Sequence, residues 1–175
     1  AFVSASKRSR SSISRPGVQK VALGTVQFGI PYGVANRRGM PSDQEVEAIL
    51  DLARERGVTL LDTAQAYGSS EERIGRYLSK NPDAFGVVTK LAPEAGDALV
   101  PLVAHSLERL GVDSVYGLLF HSFDVLSGNP ELWNELLEVR GAGRAERIGV
   151  SLYYPAEWEY LRDREMIPDL LQIPY

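Results

Sequence analysis

From residue 21 onward one pattern of apolar and polar positions repeats along the chain. A short apolar run rich in β-branched residues leads into a polar loop, and then into apolar residues spaced three and four apart. Six such runs occur, at 21–28, 58–61, 86–89, 115–120, 148–150 and 170–173. Each gap between runs is too long for a hairpin and long enough for a helical crossover, so neighbouring strands are expected to be parallel.

The intervening stretches carry helix start and stop signals. Ser42 with Glu45 reads as a capping box, followed by an apolar stripe of Val46, Ile49, Leu50 and Ala53, with Gly57 at the C′ position. Ser69 with Glu72 reads as a second box, opening a helix through Ile74 and Leu78. Val103, Leu107 and Leu110 mark a third helix, stopped by Gly111. Pro130 fits the first turn of a fourth, with Trp133, Leu136 and Leu137 on its apolar face. Pro155 opens a fifth, with Trp158 and Leu161 expected to point inward.

Strands alternating with helices leave two architectures, a doubly wound sheet or a (β/α)8 barrel. Asp62, Lys90, His121, Ser151 and Gln172 stand at or near the ends of successive apolar runs. A barrel presents its chemistry from many strand ends, whereas a doubly wound sheet concentrates it at one switch point. Neither G-x-G-x-x-G nor G-x-x-x-x-G-K-[ST] is present. Both observations favour the barrel. A whole barrel needs about 250 residues, so 21–175 is read as an incomplete one: six parallel strands, about five helices, and the last two βα units missing.

Composition narrows the picture. The 175 residues contain no Cys and two His, which excludes a disulfide framework and a thiolate site and leaves little for a His-rich metal site. No apolar run approaches the roughly 18 residues of a membrane span. Residues 1–20 hold five of the 19 basic residues, none of the 23 acidic ones, and many Ser. They read as a flexible basic tail, with a transit peptide as the alternative, followed by one domain over 21–175. The body that remains is acidic, which argues against nonspecific nucleic-acid binding.

The segment 60–68 reads Leu-Leu-Asp-Thr-Ala-Gln-Ala-Tyr-Gly, followed by Val-Val-Thr-Lys at 87–90, Leu-Leu-Phe-His at 118–121 and Arg-Ile-Gly-Val-Ser at 147–151. With Leu-Gly-Thr-Val-Gln-Phe-Gly at 23–29 and Gln-Ile-Pro-Tyr at 172–175, this series resembles the aldo-keto reductase family. The opening is most like a branch associated with bacterial surface-polysaccharide gene sets. The resemblance implies a cytoplasmic NADPH-dependent oxidoreductase, with NADH as the alternative cofactor, acting on a small-molecule carbonyl without metal, nucleic acid or membrane. It implies a catalytic tetrad of Asp62, Tyr67, Lys90 and His121, with Tyr67 as general acid. Lys90 is expected to lower the Tyr67 pKa, Asp62 to hold Lys90, and all three to lie within mutual hydrogen-bonding reach. Ser151 and Gln172 match positions that bond the nicotinamide carboxamide; Gly24, Thr25 and Asp62 match positions close to the cofactor.

The series also departs from the family. Leu152 stands where the family often has Asn, and Ser122 and Phe123 follow the His. The loops for the dinucleotide phosphates and the aromatic that stacks on the nicotinamide belong to the missing units. His105 and the basic cluster at 140–147 read as surface. Tyr153, Tyr154 and Tyr160 are candidates for a substrate mouth. Two other functions are carried forward: a truncated, non-catalytic barrel that associates through its open edges, and an aldolase-like enzyme that uses Lys90 as a Schiff-base nucleophile.

Overall fold

The computed structural model describes residues 21–94 and 96–174; the basic Ser-rich segment 1–20 lies outside the described residues. The elements run in the order β1 (Leu23–Gly24), α1 (Val26–Gly29), α2 (Asp43–Glu55), β2 (Leu60–Asp62), α3 (Ser70–Lys80), β3 (Gly86–Leu91) and α4 (Leu99–Leu110). Then follow β4 (Val115–Phe120), α5 (Phe123–Gly128), α6 (Leu132–Gly141), β5 (Ala145–Ser151), α7 (Pro155–Asp163) and β6 (Leu170–Gln172). The six strands form one sheet in sequential order, every pair parallel. Helix α2 packs on α3, α3 on α4, and α4 on α6, so these helices make a continuous layer along the sheet. The sheet curls as an incomplete (β/α)8 barrel.

The core lies between that helix layer and the strands. Leu50, Leu61, Ile74, Leu91, Leu110, Leu118, Phe120, Leu136 and Ile148 are fully buried there. From Val87 to Leu91 every residue of β3 is buried, because helices cover one face and neighbouring strands curl over the other. That double burial explains why the strands read as continuous apolar runs.

Several elements differ from the sequence expectations. The first run yields only two strand residues. Both the N–H and the hydroxyl of Thr25 bond back to the Asp62 carbonyl, at 2.9 and 2.8 Å, and the chain then turns into the single-turn α1. Seven helices replace the expected five, because α1 and α5 are too short to show a helical period. The Ser42–Glu45 box forms, with both reciprocal bonds. The Ser69–Glu72 box does not: Ser69 has turn-like rather than extended backbone angles, and its side chain caps nothing. Gly57 and Gly111 take positive φ at the expected helix ends. Trp158 is 37% exposed instead of inward, and Leu161 alone of α7 is fully buried.

Candidate active site

Each β-strand contributes its C-terminal end to one rim, as a barrel requires. Asp62 ends β2, Lys90 is the penultimate residue of β3, His121 follows β4, Ser151 ends β5 and Gln172 ends β6. Tyr67, Lys90, His121, Ser151 and Gln172 surround a cavity of about 230 Å³. The sequence reading named all five.

Lys90 anchors the site. The residue is 3% exposed, and its ammonium donates to Asp62 Oδ1 at 2.7 Å and to the Thr63 carbonyl at 2.8 Å. A buried cation without such partners is costly. Burial still holds the Lys90 pKa below the ordinary lysine range, against the opposing pull of the Asp62 charge and hydrogen bond.

Tyr67 projects from the turn that follows β2. This turn is stitched down by backbone bonds from Thr63 to Val88, from Gln65 to Lys90 and from Tyr67 to Ala64. Gly68 has φ 54°, and a Cβ there would collide with the Gly29 carbonyl; a Cβ on Gly29 would collide with the Tyr67 carbonyl. Only glycine at both positions permits this close approach of two turns. The Tyr67 ring presents its face to the Lys90 Nζ, which is 5.2 Å from the ring centroid. Its edge-to-face contact with the His121 ring has a centroid separation of 5.7 Å.

The expected geometry needs one correction. Lys90 and Asp62 are hydrogen-bonded, but among the described residues no hydrogen bond joins the Tyr67 hydroxyl to Lys90. The Tyr67 pKa is raised rather than lowered. Burial is the main cause, followed by the negative charge of Asp62 and by Tyr32 and Tyr153. With its pKa raised, the phenol keeps its proton at neutral pH. His121 is held below the usual imidazole range by burial and then by the Lys90 charge, with Asp62 opposing. The ring is therefore neutral at pH 7. Its Nδ1 is buried and without a hydrogen-bond partner among the described residues.

Ser151 and Gln172 form the other wall. The Ser151 hydroxyl lies 3.3 Å from Gln172 Oε1, and the Gln172 amide donates to Asp62 Oδ2 at 3.4 Å. These long bonds leave the amide free to re-pair with an incoming carboxamide, which needs one donor and one acceptor. Thr25 takes no place in the cavity: it is fully buried, and its hydroxyl supports the Asp62 backbone. Ser70 donates to Thr25 and Thr63 donates to Ser70, which continues that support. Gly24 faces open space. Leu152 and Tyr153 also line the cavity, and Leu152 bonds the Gln172 carbonyl through its N–H at 2.8 Å. Tyr160 instead stacks edge-on with Phe123 at 5.1 Å and lies under Arg164. His105 is exposed. Among the described residues no cluster of three His, Asp or Glu is arranged to hold a metal ion, and no helix is long and apolar enough to cross a membrane.

Sequence reasoning missed the buried supports. Glu71 is fully buried in the first turn of α3, where an acidic residue reads simply as a surface helix start. A polar pair at 69–70 followed by two acids gave no sign that Ser70 and Glu71 face inward.

Comparisons with known proteins agree with this fold. An aldo-keto reductase of Mycobacterium tuberculosis is 36% identical over 128 residues, which cover 70% of this chain and 45% of that protein. The chain thus spans a little under half the length of the curated relatives it matches. A Pseudomonas aeruginosa structure described as an aldo-keto reductase superposes with a TM-score of 0.74 at 32% identity, over 88% of this chain and 62% of that one. The Bombyx mori aldo-keto reductase, solved in complex with NADP, gives 0.71 at 30% identity, over 89% and 54%. The model of the Aldo/keto reductase family matches residues 20–175, and with the strand-end site in place the chain belongs to that family.

Proposed function

We propose that the protein is an NADPH-dependent oxidoreductase that reduces the carbonyl of an aldehyde, ketone or sugar, with Tyr67 as general acid. The observation that carries this reading is that Lys90, buried and paired with Asp62, shares one cavity with a protonated Tyr67 and a neutral His121. Ser151 and Gln172 would hold the nicotinamide carboxamide, and Gly24 leaves backbone clear beside Asp62 for its approach. NADPH, when bound, supplies the hydride. A carbonyl oxygen that gains negative charge is a far stronger base than a phenolate, so the raised Tyr67 pKa does not prevent proton transfer. The Lys90 ammonium near the ring face then stabilises the phenolate left behind. His121 orients the same oxygen by donating a hydrogen bond as the neutral imidazole.

The Schiff-base reading requires a free amine at Lys90. That nitrogen is instead enclosed and committed to Asp62 and Thr63. Self-association has one observation in its favour. β1 and β6 each pair with a single neighbour, and Leu171 and Ile173 at the β6 edge are 40% and 65% exposed. The decisive experiment is Tyr67→Phe in the chain extended by the family's last two βα units. Turnover of a generic aldehyde should fall by at least about 10²-fold, while NADPH fluorescence titration is unchanged. A variant that turns over at the parent rate would overturn the assignment.

A further inference from the structure

A second charged cluster lies outside the cavity, on the helix side of the sheet. Glu71, in the first turn of α3, is completely buried. One of its carboxylate oxygens accepts a 2.6 Å bond from the Thr89 hydroxyl, and the other faces Arg109 Nη1 at 3.6 Å. Arg109 belongs to the last turn of α4 and also faces Glu72, at 3.4 Å. Its Nη2 donates to the carbonyl of Gly68.

Both ends of this chain of contacts reach a neighbour of the proposed chemistry. Gly68 follows Tyr67 directly, and Thr89 precedes Lys90 on β3. Successive strand residues point to opposite faces, so Thr89 meets the helices while Lys90 enters the cavity. The turn carrying Tyr67 is therefore gripped from two sides, by the Gly29 backbone on one and by the Arg109 guanidinium on the other. A buried carboxylate is weak evidence for added stability, because its desolvation offsets much of the attraction. A rigid fork aimed at one carbonyl specifies position instead.

We infer that Arg109, seated by Glu71, is a positioning residue that fixes the Tyr67 ring over Lys90. The inference rests on Tyr67 being the general acid. It assigns to α4, an element with no residue in the cavity, control over the proton donor.

The test uses the 175-residue chain labelled with 13C at the tyrosine Cζ, the Tyr67 signal being assigned by its loss in Tyr67→Phe. In Arg109→Gln the turn is released, and Tyr67 gains water. Its pKa should fall toward the free value of about 10, and amide exchange at 67–70 should quicken by roughly 10-fold or more, with β4 amides unchanged. Arg109→Lys separates positioning from a plain ion pair. Lysine restores the charge opposite Glu71 but not the simultaneous reach to Gly68. Protection of α3 and α4 should return while the Tyr67 pKa stays lowered. Should Arg109→Gln fail to fold, Arg109→Lys carries the same measurement. A Tyr67 pKa and 67–70 exchange equal to the parent in Arg109→Lys would overturn the inference. Parent-level turnover of Tyr67→Phe in the chain extended by the family's last two βα units would sink the general-acid reading separately, and leave the NMR result standing as a statement about the turn alone.

Discussion

Lys90 shows how much of this site is set by the needs of one side chain. Its ammonium is taken out of water and given two oxygen partners, Asp62 and the Thr63 carbonyl. Removing one member of a buried pair leaves the other uncompensated, at about 3–5 kcal/mol. Asp62 is 21% exposed, which places Asp62→Asn near the lower bound, at about 3 kcal/mol. The urea midpoint should fall with no change in m-value, and the Lys90 pKa should drop further. An unchanged midpoint would mean that water already screens the pair. The series of motifs that resembles the aldo-keto reductase family made this pair legible from the sequence; an acid and a lysine at strand ends, taken alone, fit solvated strand ends as well. The Tyr67 pKa was not legible. It depends on how deeply the turn is buried and on the groups brought beside it, among them Tyr32 and Tyr153, which lie far away along the chain.

At the scale of elements, helix packing on the sheet turns on small residues and on hydrogen bonds between helices. Gly75 of α3 lies against the backbone of Arg109, so an added Cβ would meet the Arg109 carbonyl. Gly75→Ala gains about 0.5–1 kcal/mol of helix propensity but forces α3 and α4 apart, at about 1–3 kcal/mol. The net expectation is a lower Tm in a thermal melt. A higher Tm would show that the helices separate freely. Tyr77, two residues further on, is 3% exposed and donates to Asp51 Oδ1 of α2 at 2.7 Å. Burial, then that bond, pushes its pKa up to about 12. The folded state therefore keeps a proton that the unfolded chain releases above about pH 10. Its contribution is complete below about pH 10 and is lost as pH rises through about 12. Between pH about 9 and about 11, the parent urea midpoint should fall more steeply than that of Tyr77→Phe; equal slopes would refute the shift. Such inter-helix terms were invisible in the sequence, where Tyr77 is one more apolar-face residue. The Ser69–Glu72 box failed for the same reason. Its residues satisfy the local pattern, but α3 is entered through a turn that the buried Ser70 and Glu71 define.

For the molecule as a whole, the strand order followed from the sequence because the central runs β3, β4 and β5 are largely buried and each crossover is helical. The short α1 and α5 were lost because fewer than two turns have no period to read. Among the described residues the six strands leave an open sheet in which β1 and β6 each lack one neighbour, and this bears on cofactor binding. Ser151 and Gln172 hold only the reacting end of a dinucleotide. Positioning of that end depends on remote contacts to the rest of the cofactor. By family resemblance, most phosphate and adenosine contacts belong to two further βα units. Charge-assisted hydrogen bonds contribute about 1.5–3 kcal/mol each. Without two of them, affinity falls by about 3–6 kcal/mol, a factor of roughly 10² to 10⁴. An open sheet also admits water around Tyr67 and Lys90, which weakens their electrostatics. A polypeptide of residues 1–175 should therefore show no saturable NADPH fluorescence at micromolar cofactor, and little aldehyde turnover. Appending the family's last two βα units should restore both. Light scattering on the same samples reads the alternative: if residues 1–175 bind NADPH tightly, this account fails, and a dimer at the stoichiometric point would show that a second copy completes the site.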